Sequence, residues 1–196
     1  MSLSTYYMRQ ASNKAALEAA QRLRIPEMTA LKTTPIGLWL ILQALSQNSS
    51  SPALRPGLRY ALSRSREDVL NASHRLGAAD VRARGESLFF KVMGRHSDRA
   101  LEAVEKLAKI DRKQARTLLG MCAVAAAAAL AETKRELNLT SGQTLGVLIS
   151  EAAFMDNADP DLLQKVRNWV FRPPWWTQGW RYVSALFTRK QESPAI

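Results

Sequence analysis

Few residues of this sequence have side chains that could bind a metal or act as a nucleophile. The two histidines, His74 and His96, each lack a second His or Cys three or four residues away, the spacing that zinc ligands take on a helix. Cys122 lies in an alanine-rich run without a basic neighbour that could lower the pKa of its thiol. We therefore predict that both histidines lie at the surface and that the cysteine is buried and unreactive.

Three carboxylates are close together in the segment DNADPD, residues 156–161. A calcium loop of the EF-hand type also needs a glycine at its sharp turn and a closing glutamate, and these are missing. A helix cap at Asp159, followed by Pro160 at the first helical position, explains the segment better. Because nucleotide-binding glycine loops and serine-nucleophile motifs are also missing, we predict a non-enzymatic protein with no cofactor, metal or small-molecule substrate.

Binding chemistry is concentrated in the C-terminal stretch RNWVFRPPWWTQGWRYVSALFTRK, residues 167–190. It contains four Trp, two Phe, one Tyr and five Lys or Arg, with no acidic residue. Trp, Tyr and Arg dominate the energetic centres of protein interfaces, so the stretch is typical of a docking arm. The candidate partner-binding residues are Trp169, Phe171, Arg172, Trp175, Trp176, Trp180, Arg181, Tyr182, Leu186 and Phe187.

Several surfaces could receive this arm, residues 172–196. It could cover an apolar groove on its own domain, dock into a partner protein or a second copy of the chain, or lie in the headgroup layer of an anionic membrane. Single-stranded nucleic acid is a weaker candidate, because Pro173 and Pro174 interrupt the platform on which bases would stack. From Trp180 to Phe187 the apolar spacing predicts a short amphipathic helix, which needs such a surface to be stable.

Positive charge is unevenly distributed along the chain. The net charge is +11 and the isoelectric point is near 10.3. Residues 162–196 hold six basic side chains against one acidic one, and so contribute +5 of that charge. Residues 55–99 hold ten basic side chains against five acidic ones, but these do not form one helical stripe, which favours a solvated surface over a phosphate-binding face.

Neither a membrane span nor a secretory signal is predicted. The longest apolar run, Leu118–Ala131, has 14 residues and is mostly Ala, too short to cross a bilayer. The first 24 residues have no apolar core of the kind that a signal peptide has, although their Ser, Arg and near-absence of acids leave an organellar transit peptide as an alternative. We predict a cytoplasmic protein that is peripheral to a membrane or to a larger assembly.

Helices are predicted through most of the chain, since alternating strand patterns are missing. In SDRALEAVEKLAKI, residues 97–110, the spacing places Leu101, Val104, Leu107 and Ala108 on one buried face. A capping box of Asp111 with Gln114 begins a long helix to about Leu137, and a box of Thr140 with Gln143 begins another. Further helices end at Gly77, at Gly94 and at Phe171.

An internal repeat is indicated by self-comparison of the sequence. The segment from Leu17 aligns with the segment from Leu101 if the second has one extra residue before Ile110, an offset of about 85 residues. We expect one all-α domain built from two related units of three helices, in which Trp39 and its neighbours fill the space opposite the alanine-rich face. The predicted boundaries are an N-terminal arm (1–14), the repeat domain (15–156), a capped linking helix (157–171) and the C-terminal arm (172–196).

The segment from LFFKVMGRHSD through TLGVLISEA, and more loosely PIGLWLILQALSQNSSSPALRPGLRYAL, resembles the YidB-like family of bacterial proteins, a domain of unassigned function. The resemblance covers roughly residues 15–153 and implies an all-helical, mostly cytosolic bacterial protein with no catalytic residues to carry over. Family members are typically richer in Gly and less basic than this chain. The resemblance does not reach the aromatic arm, so the role of the arm cannot be inherited from the family.

Overall fold

The computed structural model describes residues 2–49, 76, 78–140, 142–144, 146–147, 150–151 and 160–171. Across these residues the regular structure is helical and includes no strand, which confirms the all-α fold. The helices are α1 (Leu3–Leu23), α2 (Glu27–Ser49), α3 (Ala79–Met93), α4 (Ser97–Ala108), α5 (Arg112–Glu136) and α6 (Pro160–Phe171), with a 3₁₀ helix (Gly94–His96) between α3 and α4.

Helix α5 lies at the centre of the fold, in contact with α1, α2, α3 and α4. Its alanine-rich middle is buried, and small side chains let the neighbouring helices approach closely. At the crossing of α3 and α5, a Cβ atom on Gly85 would lie 2.5 Å from the carbonyl oxygen of Gly120. At the crossing of α2 and α5, a Cβ atom on Gly37 would lie 2.9 Å from the Sγ atom of Cys122. At Gly85 the added atom would meet backbone, so glycine is required there, whereas at Gly37 the side chain of Cys122 would have to shift.

The large apolar side chains of α2 fill the core around α5, as predicted. Trp39, Leu40 and Leu42 are completely buried and belong to the same hydrophobic cluster as the alanines of α5. Burying each such side chain contributes roughly 1.5–3 kcal/mol. The contrast between bulky residues on α2 and small ones on α5 lets the two helices pack closely.

The predicted helix ends are confirmed wherever the structure describes them. Asp111 Oδ1 accepts from the backbone N–H of Gln114 at 2.8 Å, and the Gln114 side chain accepts from the Asp111 N–H at 3.0 Å. The corresponding bonds between Thr140 and Gln143 are 2.8 and 3.3 Å long. Gly94 follows α3 with a φ of 51°, which is a conformation that glycine adopts easily.

Two expectations depart from the structure. Leu107, predicted on the buried face of α4, is 39% exposed, and that prediction is wrong. Ala100 and Ala103 are buried instead, so the buried face of α4 is rotated away from Leu107. The boundary predicted between residues 14 and 15 falls inside α1, which runs without a break from Leu3 and buries Met8 and Ala11.

The start of α1 is joined to a residue far along the chain. Glu151 is buried and accepts hydrogen bonds from the hydroxyls of Ser2 and Thr5, each at 3.1 Å, and from the hydroxyl of Ser4. A carboxylate at this position also interacts favourably with the positive end of the helix dipole. Glu151 is thereby held against the first turn of α1.

The turns that follow α1 and α4 share one backbone geometry. Arg24 and Lys109, which are 85 positions apart, both have a φ of 53°. The predicted repeat requires such a correspondence, but α1 has 21 residues and α4 has 12. The repeat therefore stays a prediction.

Among the described helices, α5 alone is long and apolar enough to meet the length and composition of a membrane span. Its most apolar 18-residue window has a mean hydropathy of 1.4, and 78% of that window is buried inside the protein. The core helix of a water-soluble fold has the same properties, so this is weak evidence for a membrane span.

Candidate functional site

The base of the aromatic arm is formed by α6, which lies on α4. Leu163, Val166 and Val170 are buried, and their spacing places them along one face of α6. Because the contact includes Val170, the last turn of α6 is fixed to the helical body. The chain therefore leaves the described structure at Phe171 from an anchored position.

Trp169 lies on the outer side of this last turn and is 49% exposed. The Nζ atom of Lys106, on α4, is 4.4 Å from the centroid of the indole ring, within the range of a cation–π contact. Lys106 Nζ also donates a hydrogen bond to Glu102 Oε1 at 2.8 Å, so its position over the ring is held by a second contact. Trp169 thus presents an ordered, half-exposed aromatic surface.

Phe171 lies against the ring of His96, with 5.3 Å between the ring centroids. The Nδ1 atom of His96 is 3.1 Å from the carbonyl oxygen of Val170, and the Nε2 atom is 3.3 Å from Arg95 Nε. Because Arg95 can only donate, Nε2 accepts and Nδ1–H donates to the carbonyl. The contact with Arg95 requires the neutral form of the imidazole, whereas Nδ1–H can donate to the Val170 carbonyl in either form.

The environment of His96 favours this neutral form. Its partial burial lowers the pKa of the imidazole below the ordinary value of histidine, and the hydrogen bond to Val170 counteracts that effect in part. The positive charges of Arg95 and Arg99 lower the pKa further. His96 is therefore neutral at pH 7 and donates to the last turn of α6.

Only two of the ten predicted partner-binding residues fall in the described structure, and they have different environments. Trp169 faces outward, whereas Phe171 is partly buried against the core. The other eight lie outside the described residues; they are Arg172, Trp175, Trp176, Trp180, Arg181, Tyr182, Leu186 and Phe187.

His96 is a residue that the sequence-based prediction missed. It was expected to be an ordinary surface residue, but it is half-buried and connects the 3₁₀ helix before α4 to α6. No local signal identifies this contact, because Val170 is 74 positions away. His74, Asp156 and Asp159 lie outside the described residues, and Asp161 is exposed in the first turn of α6.

The remaining candidates for reactive or metal-binding groups are Cys122 and any cluster of His, Cys, Asp or Glu side chains. Cys122 is completely buried, and burial raises the pKa of its thiol to about 12. The neutral thiol donates to the carbonyl oxygen of Thr34 at 3.7 Å, so it behaves as the predicted small buried side chain. Within the described part of the chain, no group of three or more His, Cys, Asp or Glu side chains is arranged to hold a metal ion.

Comparisons with protein-family models, with curated proteins and with solved structures give no match to this chain. The resemblance to the YidB-like family therefore stays a prediction. The properties of the candidate site follow from its own residues and not from those of a relative.

Proposed function

We propose that this chain is a non-enzymatic assembly protein whose helical body carries residues 172–196 as a docking arm for a protein partner or for a second copy of the chain. The observation that supports the proposal is the anchoring of the last turn of α6. Its Val170 carbonyl is 3.1 Å from His96 Nδ1, and Trp169 is half-exposed beside it. An arm that starts from a fixed point loses less freedom on docking than one attached through a flexible linker.

The composition of the arm supports the choice of partner. Four tryptophans and five basic residues lie in residues 167–190, and a Trp paired with a cation already occurs at its base, where Lys106 lies over Trp169. Tryptophan and arginine give the largest losses of affinity in interface mutagenesis, because they bury large areas and form several contacts each. We place the protein in the cytoplasm, at the periphery of such an assembly.

The test compares two variants of the full-length chain. In the first, Trp175, Trp176 and Trp180 are changed to Ser; in the second, three exposed apolar residues of the body, Tyr6, Leu17 and Met28, are changed to Ser. Sedimentation velocity measures self-association, and affinity purification with quantitative mass spectrometry identifies partners. We expect the arm variant to lose the complex and the body variant to retain it, since both remove three apolar side chains. Equal loss, or no loss, in the two variants would falsify the proposal.

A second candidate function is peripheral binding to an anionic surface, with membrane ahead of nucleic acid. It is favoured by the net +5 charge of residues 162–196, since each basic residue near an acidic membrane contributes about 1 kcal/mol. Flotation with vesicles that contain anionic lipid separates the two candidates. Recovery with anionic vesicles that falls as salt rises supports the membrane, whereas a salt-resistant complex with one protein supports docking.

A further inference from the structure

A cavity distant in sequence from the arm lies where three helices meet. Its volume is about 380 Å³, and its lining comes from the end of α1, the first turn of α3 and the first half of α5. This volume is in the range of small-molecule sites in proteins. The cavity is partly open to solvent.

Three cationic side chains, those of Arg22, Arg82 and Lys113, line this cavity, and none of the described residues that line it is acidic. The Nε atom of Arg22 is paired with Glu18 Oε1 at 2.6 Å, which leaves its two terminal nitrogens for another acceptor. The side chains of Arg82 and Lys113 form no ion pair with the residues that the structure describes. The cavity therefore has an excess of positive charge.

Neighbouring basic residues on the same helices do have acidic partners. Arg84 pairs with Asp80 on α3, and Arg116 of α5 pairs with Glu86 at 2.7 Å. Among the described residues, Arg82 and Lys113 thus differ from these neighbours in having no neutralising carboxylate, whereas Arg22 is paired with Glu18. Such a concentration of one charge attracts ligands of the opposite charge, and guanidinium groups match the oxygens of phosphate in two-pronged hydrogen bonds.

The rest of the lining is partly apolar and is held in place. Leu23 and Met121 contribute apolar surface, and Thr117 contributes a hydroxyl. Gln114 Nε2 donates to the carbonyl oxygen of Leu23 at 2.9 Å, which fixes the end of α1 to the start of α5. Walls held by such contacts lose little freedom when a ligand binds.

The positive charge in the cavity comes from its three cationic side chains and not only from the N-terminus of α5. Asp111 already caps the N-terminus of α5, so the orphan N–H groups of that first turn are partly satisfied. From the three cations, the apolar lining and the volume, we infer that this cavity binds a small amphipathic anion, a molecule in which one phosphate group is attached to a compact apolar part. Neither the arm nor its partner enters into this inference.

Phenyl phosphate is a suitable probe, because it joins one phosphate to one apolar ring. Titration calorimetry on the full-length protein should show saturable binding of phenyl phosphate, at least about tenfold tighter than that of inorganic phosphate, since only the former buries apolar area. In NMR spectra, the amide shifts that move should be those of Leu23, Gln114, Thr117 and Met121.

Two double variants test the charges. Arg82→Gln with Lys113→Gln removes the two cavity cations that have no ion-pair partner among the described residues, and Arg9→Gln with Lys165→Gln removes one exposed Arg and one exposed Lys elsewhere. Arg9 is 13 residues before Arg22 on α1, about 20 Å away at the rise of an α-helix. We expect the first variant to bind phenyl phosphate about tenfold or more weakly and the second to bind it as the unaltered protein does. Both should unfold at the unaltered temperature, because all four side chains are exposed.

Four results would overturn the inference: no saturable binding of phenyl phosphate, equal affinity in the two double variants, shifted amides away from the cavity, or equal affinity for phenyl phosphate and inorganic phosphate. Equal affinity for the two phosphates would show that the apolar part of the ligand contributes nothing to binding. None of these results changes what is expected of the arm variants, so the two proposals fail independently.

Discussion

His96 is a side chain whose hydrogen bond joins the start of α4 to the last turn of α6. It donates to the Val170 carbonyl in its neutral form, and burial and the nearby Arg95 and Arg99 lower the pKa of the imidazole. In the unfolded chain the imidazole of His96 has its ordinary pKa of about 6.5. Below this pH the unfolded chain therefore binds a proton at His96 more readily than the folded chain does. The contribution of His96 to the free energy of unfolding is therefore complete above about pH 6.5. It is lost as the pH falls through the lowered pKa that His96 has in the folded chain.

We expect the amides of α6 to lose protection from hydrogen exchange between pH 7.5 and pH 5.5, after correction for intrinsic exchange rates. The His96→Asn variant is the matched control, because the Asn amide can donate to Val170 but does not titrate in this range. Its α6 amides should show a flatter dependence on pH. If the variant and the unaltered protein respond equally, then His96 does not hold α6 in a pH-dependent way.

The local roles of residues in capping and breaking helices were easier to predict than the exposure of their side chains. Asp111, Gly94 and Pro160 have the predicted roles, because caps and breaks depend on side chains within one turn. The exposure of Leu107 could not be predicted from spacing alone, since it depends on how α4 rotates against its neighbours. For the same reason, the chain order of Trp169 and Phe171 did not show which of the two faces solvent.

At the scale of elements, the close crossing of α3 and α5 is the strictest packing requirement in the described fold. A Cβ atom at Gly85 meets the backbone of Gly120, and a Cβ atom at Gly120 would lie 2.9 Å from the backbone nitrogen of Glu86. Backbone atoms cannot rotate away as a flexible side chain can. The helices must separate to accept any larger residue, and the contacts along both are then weakened.

The Gly85→Ala variant should lose about 1–3 kcal/mol of unfolding free energy, because overpacking outweighs the gain in helix propensity. Urea unfolding followed by circular dichroism measures this loss. Gly142→Ala is the control, since no described residue lies within 4 Å of its added Cβ atom, and it should be neutral or slightly stabilising. A Gly85→Ala protein as stable as the control would mean that the helices are not in contact at this crossing.

The extent of α1 was the least predictable of the helices. The first residues of the chain have neither an apolar stripe nor a long apolar run, so an arm was expected over residues 1–14. In the structure, Ala11, Ala15 and Ala19 are completely buried in the core. Small side chains give a weak local signal, and their burial depends on α5, about 100 positions further along.

For the whole molecule, the depth of the core determines which groups can react. Cys122 lies on the central helix, is inaccessible to solvent, and has a thiol whose pKa burial raises to about 12. A thiol in this position is protonated at neutral pH and reacts only after the protein opens. We therefore expect its reactivity to report on global opening of the protein.

We expect Ellman's reagent to leave Cys122 unmodified in the folded protein at pH 8 and to modify it completely in denaturant. The rate at intermediate urea concentrations should follow the unfolding transition seen by circular dichroism. Cys122→Ala, the blank for the assay, should give no signal at any urea concentration. Rapid modification of the folded protein would show that the centre of the fold opens locally.

The buried Glu151 also has a kinetic consequence. It joins the hydroxyls of Ser2, Ser4 and Thr5 to a position 146 to 149 residues away. Closing a loop of that length costs more chain entropy than forming the turns between neighbouring helices. This contact should therefore form late in folding, so that a Glu151→Gln substitution speeds unfolding while it leaves the rate of folding nearly unchanged.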